Sequence, residues 1–91
     1  MITSTSNTQI KNVINLIKKS KDRKVQGLFV VEGKRMFEET PKERIHSLFV
    51  SESFERANKD SLRGYAYELV ADDVFSHMSD TKTPQGGMAL V

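Results

Sequence analysis

Ile10, Val13, Ile14 and Ile17 fall at i, i+3, i+4 and i+7, one stripe of an α-helix. Ahead of them, Ser6-Asn7-Thr8-Gln9 reads as a capping box, with the Ser6 hydroxyl and the Gln9 side chain satisfying free amides; Asn7 is an equally good cap. Lys11, Asn15, Lys18 and Lys19 cluster on one flank beside the stripe. The helix is expected to end near Ser20, leaving Lys21 to Gly27 as a basic connecting loop. After Gly27 the pattern changes. Leu28-Phe29-Val30-Val31 is a continuous run of strand formers, which predicts a strand covered on both faces.

Glu32-Gly33 ends that strand, and Lys34 to Glu39 holds enough helix formers for a short helix. Thr40-Pro41 interrupts it, with Thr40 capping a new turn, Pro41 at its first position and Glu43 at its third. Ile45 to Val50 is the second strand. Ser51 or Ser53 caps a polar helix through about Ser61, with Phe54 and Ala57 facing inward. Arg63-Gly64 is a turn and Tyr65 to Val70 the third strand. Asp72 or Asp73 opens a short helix whose Val74, Phe75 and Met78 point into the core. Thr81 to Gly87 is a loop punctuated by Pro84 and by Gly86-Gly87, and Met88 to Val91 is a fourth strand. The order α-β-α-β-α-β-α-β predicts an α/β fold, a three-layer α/β/α sandwich on a four-stranded, mostly parallel or mixed sheet. The apolar ending suggests that Val91 pairs within the sheet and that the chain is cut from something longer.

Length and composition narrow the function classes. Ninety-one residues, 37% hydrophobic and 29% charged, fit one small globular domain and leave no room for a separate catalytic one. The longest purely apolar runs have four residues, and Met1 to Gln9 is polar, so neither a membrane span nor a signal peptide is expected. The absence of cysteine excludes disulfides and thiolate metal sites and fits a cytoplasmic location. The net charge of +2 is unevenly spread. Met1 to Gly27 carries six basic residues (Lys11, Lys18, Lys19, Lys21, Arg23, Lys24) and one acid, whereas Leu28 to Val91 carries a net −3. Such an asymmetry points to a polyanionic partner for the basic end, against the plainer reading of a solvated lysine-rich surface.

Catalytic chemistry finds little support. His46 and His77 lie apart with no second ligand at metal-binding spacing, so no metal site is expected, and both read as structural. Asp72-Asp73 reads as a cap and dipole pair. Glu32-Gly33-Lys34-Arg35, between a strand and a helix, offers amides and two cations that could hold a phosphate, although a glycine at a strand end is commonplace. Met36, Phe37, Phe54, Phe75 and Met78 are assigned to the core. Tyr65 and Tyr67 share a strand face; packing of the sheet on a helix is their plainer role, base stacking the alternative.

Three blocks occur in order: Ile2-Thr3-Ser4 with Asn7 and Ile10-Lys11, Arg23 with Gly27-Leu28-Phe29-Val30-Val31-Glu32-Gly33, and Thr81 with Thr83-Pro84-Gln85-Gly86. Together they resemble the N-terminal substrate-binding domain of SpoU/TrmH-type RNA 2′-O-ribose methyltransferases. The resemblance covers almost the whole chain and implies an α/β sandwich like that of kink-turn-binding ribosomal proteins. It also implies a domain that recruits structured rRNA or tRNA without catalysing, an absent knotted domain that holds S-adenosylmethionine, and contact with that domain as a partner. The isolated chain is expected to be monomeric and to bind no cofactor itself. Thr8 stands where the family often has proline, and Thr40-Pro41 shortens a usually longer helix. Carried over by position, Lys18, Lys19, Lys21, Arg23 and Lys24 are the expected phosphate contacts, and Lys11 is expected among the RNA-binding residues. Glu32, Gly33, Lys34 and Arg35 form the expected RNA loop, with Gln85 alongside. A stand-alone ribosomal or kink-turn-type protein and a protein-docking module are the alternatives.

Overall fold

The computed structural model describes residues 1–33, 35, 39–79 and 86–91. Met36, Phe37, most of the expected helix from Lys34 to Glu39, and Thr81 to Gln85 of the last loop lie outside the described residues. The first helix, α1, spans Thr8–Lys18, and its cap is Asn7, whose Oδ1 accepts from the amides of Gln9 and Ile10 at 2.8 and 3.4 Å. Ser6 instead shares a hydroxyl hydrogen bond with Ser4. The buried face is Ile10, Val13 and Leu16, with Ile14 and Ile17 half-buried beside it. Lys21 to Gln26 is not a loop. It belongs to a second helix, α2 (Ser20–Gln26), set off by the extended backbone of Lys19 and closed by Gly27 in the left-handed region at φ 68°.

Strand β1 (Val30–Glu32) is followed by a 3-10 turn over Lys42–Arg44, with Pro41 preceding it, and then by β2 (Ser47–Ser51). Helix α3 (Glu52–Ala57) starts at Ser51, whose Oγ accepts from the Phe54 amide at 3.1 Å. It stops earlier than the sequence suggests because both the amide and the side chain of Asn58 donate to the Phe54 carbonyl. A second 3-10 turn (Asp60–Leu62) buries Leu62, while Ala57 is exposed. Strand β3 is confined to Glu68–Val70, the stretch that pairs with Phe49–Ser51. Helix α4 (Asp72–Met78) buries Val74, Phe75 and Met78, and β4 (Gly87–Leu90) ends the fold.

The sheet is mixed, in the order β1-β4-β2-β3, with β2 and β3 parallel and β4 antiparallel to both its neighbours. The alternation of side chains along each strand then splits the core between the two faces. Val30, Phe49, Val70, Met88 and Leu90 pack with α1 and α4 on one face. Val31, Leu48, Val50, Leu69 and Ala89 pack with Phe54, Leu62 and Tyr65 on the other. The three-layer arrangement follows, and β4, buried throughout, is its centre.

β1, β2 and β3 run one way and β4 the other, so the sheet has two distinct ends. At one, the Gly33 amide donates to Gly87 and the Ser51 amide to Gly86. At the other, Phe29 and Val91 exchange both backbone hydrogen bonds, and the His46 amide donates to Leu90. Gly86 is fixed by space as well as by its φ of 97°. A Cβ there would lie 2.6 Å from the Ser51 hydroxyl that caps α3.

Candidate nucleic-acid interface

Helix α2 has no apolar stripe, and none of its residues is buried. What holds it is polar. Arg23 Nη1 donates to the carbonyls of Leu16 and Ile17 at 2.7 and 3.0 Å, closing the C-terminal end of α1 with a cation where the helix dipole favours one. Asn12 and Gln26 exchange amide hydrogen bonds of 3.2 and 2.8 Å between the two helices. The resulting corner presents Lys18, Lys19, Lys21 and Lys24 to solvent, and Lys11 stands exposed further back on α1. Among the described residues none of these five lysines is held in an ion pair. Arg23 differs from them: it is half-buried and already engaged with α1.

The other candidates stand at the far end of β1. Gly33 is buried and turns the chain at φ 101°. Glu32 accepts from the Ser79 hydroxyl at 2.6 Å, tying β1 to the residue after α4. Arg35 is 92% exposed and pairs with Glu39 at 3.2 Å, an exposed contact of little energetic weight. Lys34 and Gln85 lie outside the described residues. Along the chain, Gly27 to Phe29 and the three residues of β1 separate the lysine corner from the Gly33 turn.

Sequence reasoning missed two residues beside that corner. Phe29, read as a strand residue, is 64% exposed. Arg44 shares with Phe29, Gly27, Pro41 and Val91 an open hollow of about 520 Å³. The apolar run containing Phe29 gives no signal of its exposure, and Arg44 comes close only through the tertiary fold.

On the opposite side the polar groups pair among themselves. Tyr67 donates to Glu55 at 2.6 Å, and this bond, then burial and the Glu55 charge, push its pKa up. Asp72 accepts from both the hydroxyl and the amide of Ser53, which hold its carboxyl below the usual carboxylate range; a slight desolvation of this exposed group opposes them, and the Arg56 charge adds to the lowering. Asp72 and Asp73 occupy the first turn of α4, but neither caps it by a side-chain bond. A hollow of about 380 Å³ beside Asp72 is lined by Ser51, Ser53, Phe54 and Gly86, and neither histidine reaches it. Among the described residues no cluster of histidines and carboxylates could hold a metal ion, and no helix is long and apolar enough to cross a membrane.

Residues 7–89 match the family of MRM3-like substrate binding domains, and the chain belongs to that family. No curated protein matches it significantly. Among solved structures, the crystal structure of an RNA 2′-O ribose methyltransferase superposes with a TM-score of 0.75 at 28% identity, covering 98% of this chain and 36% of that one. An rRNA methyltransferase from Sinorhizobium meliloti gives a TM-score of 0.69 at 23% identity, again over 98% of this chain but 35% of the relative. The same enzyme with AdoMet bound gives 0.68. The chain thus spans about a third of the length of the solved relatives it resembles.

Proposed function

We propose, with membership of the substrate-binding family as premise, that this chain is the RNA-recruiting part of an S-adenosylmethionine-dependent RNA 2′-O-ribose methyltransferase and does not itself catalyse. The observation that carries the reading is the α1–α2 corner, where Lys18, Lys19, Lys21 and Lys24 stand exposed and, among the described residues, without ion pairs, backed by Lys11. Such a surface neutralises phosphates and releases their counterions. Arg23 positions the corner by joining α2 to the end of α1. The turn at Gly33, with Lys34, Arg35 and Gln85, is a second point of contact further along the same RNA. Phosphate contacts of this kind orient a structured rRNA or tRNA, and the methyl donor belongs to a further domain of a longer protein. In this reading the chain is cytoplasmic, and its partners are that RNA and that domain.

Fluorescence anisotropy of labelled rRNA and tRNA hairpins, titrated with the chain at low and physiological salt, tests the reading. Five phosphate contacts predict that log K falls against log salt with a slope of about −4. Absence of binding at low salt, affinity indifferent to salt, or tight binding of S-adenosylmethionine by this chain alone would contradict it.

A further inference from the structure

Phe29 is held rigidly and left uncovered. Its amide donates to Val91 at 2.8 Å and its carbonyl accepts from Val91 at 2.9 Å, so the backbone cannot turn the ring inward without breaking the sheet. The side chain remains 64% exposed, although a phenylalanine is among the residues with most to gain from burial. Open hollows flank the ring. One, of about 310 Å³, is shared with Leu16, Arg23, Val30 and Glu32, and the other, of about 520 Å³, with Pro41, Glu39 and Arg44. The two carboxylates in these hollows are already engaged, Glu32 with Ser79 and Glu39 with Arg35. Arg23 lines the first hollow and Arg44 the second, and the exposed Lys24 of the lysine corner precedes Phe29 by five residues in the chain.

An apolar plane with an arginine in each flanking hollow, Arg23 in one and Arg44 in the other, suits a partner that is itself a plane strung on anions. We infer that Phe29 is a stacking platform for an unpaired nucleobase of the bound RNA, with the neighbouring phosphates held by the lysine corner and Arg44. The inference rests on the RNA-binding reading above and adds a requirement to it. The RNA must offer a base outside a duplex, in a loop or bulge, because paired bases present no free face.

The chain contains no tryptophan, so Phe29→Trp places a single indole at the site. Phe29→Trp and Phe29→Ala are titrated with an RNA hairpin bearing an unpaired loop and with a blunt duplex. The expected result is retained hairpin affinity and quenched indole emission for Phe29→Trp, with no quenching by the duplex. Phe29→Ala should bind the hairpin about tenfold more weakly with an unchanged salt slope, the loss of one base–aromatic stack. Native-like hairpin affinity in Phe29→Ala together with unmoved emission in Phe29→Trp overturns the stacking role while leaving the RNA-binding reading intact. A native chain that binds no RNA overturns both. A concentration-dependent mass without RNA that Phe29→Ala abolishes assigns the ring to protein contact, and likewise overturns it.

Discussion

The two edges of the sheet are finished in different ways. Beyond β3, the chain's own N-terminus closes the edge: the Ile2 amide donates to Leu69, its carbonyl accepts from Ala71, and its side chain is 8% exposed. Near that side Lys42 lies over the Tyr65 ring at 4.6 Å, and Arg63 stands 3.6 Å from Asp60 in a pair as exposed and weak as that of Arg35 with Glu39. The contrast between the edges thus lies in the backbone closure more than in the charges. Beyond β1 the pattern reverses. The strand is only half-buried, its lead-in ends on an exposed phenylalanine, and the adjoining helix carries lysines that have no ion pair among the described residues. One edge is closed by the chain's own backbone, and the other carries a cluster of lysines and uncovered apolar surface together. Under the proposed function, an RNA is the partner that would satisfy both.

The sharpest way to break this contrast is charge reversal. Replacing Lys18, Lys19, Lys21 and Lys24 together by glutamate should lower hairpin affinity by roughly a hundredfold or more at low salt, with little change in Tm. The matching reversal beyond β3, Lys59→Glu with Arg63→Glu, should leave affinity near native. Next in size is the closed edge itself. Ile2→Ala should cost about 2 kcal/mol of stability, because it empties a buried site in the cluster around Val70. RNA affinity, measured well below the melting temperature, should not move.

Arg23→Gln separates positioning from contact. It removes a charge-assisted hydrogen-bond pair at the end of α1 and should cost about 1.5 kcal/mol in denaturant unfolding. Its effect on affinity should be smaller than that of the lysine set. The smallest effect is expected at Asp72, on the β3 side. Its pKa is lower in the fold than in the unfolded chain, so its contribution is present above the ordinary carboxylate pKa and is lost as pH falls through the folded value. Asp72→Asn should therefore flatten the acid limb of stability in melts taken from neutral pH down to about pH 2, and change nothing in RNA binding.

Much of this architecture is legible in the sequence, for identifiable reasons. The stripe from Ile10 to Ile17 and the apolar strands at Leu48–Val50 and Met88–Leu90 announce themselves because burial dictates their pattern. The run from Leu28 to Val31 is readable only in part: Val30 packs on one face and Val31 on the other, but the strand is half-buried, begins at Val30 and leaves Phe29 exposed. Helix α2 is invisible to the same reasoning. Ser20 to Gln26 buries nothing, and its helix is held by Arg23 and Gln26 reaching back to α1, contacts that no periodicity encodes. Leu16 was hidden by a neighbour: the isoleucines beside it suggest a stripe centred one position away. At the candidate interface, the lysines are plain from charge alone. The engagement of Arg23, the exposure of Phe29 and the approach of Arg44 depend on how the elements meet.

The most direct test of the account is a map of backbone amide shifts in the 91-residue chain as an RNA hairpin is added at two salt concentrations. The predicted result is movement at Lys18 to Phe29, at Gly33 to Arg35 and at Arg44, fading steeply with salt, while Ile2 and Glu68 to Val70 stay still. Movement concentrated at Ile2 and β3, or a map that salt does not change, would contradict the claim that the edge left unfinished by the fold is the one that meets RNA.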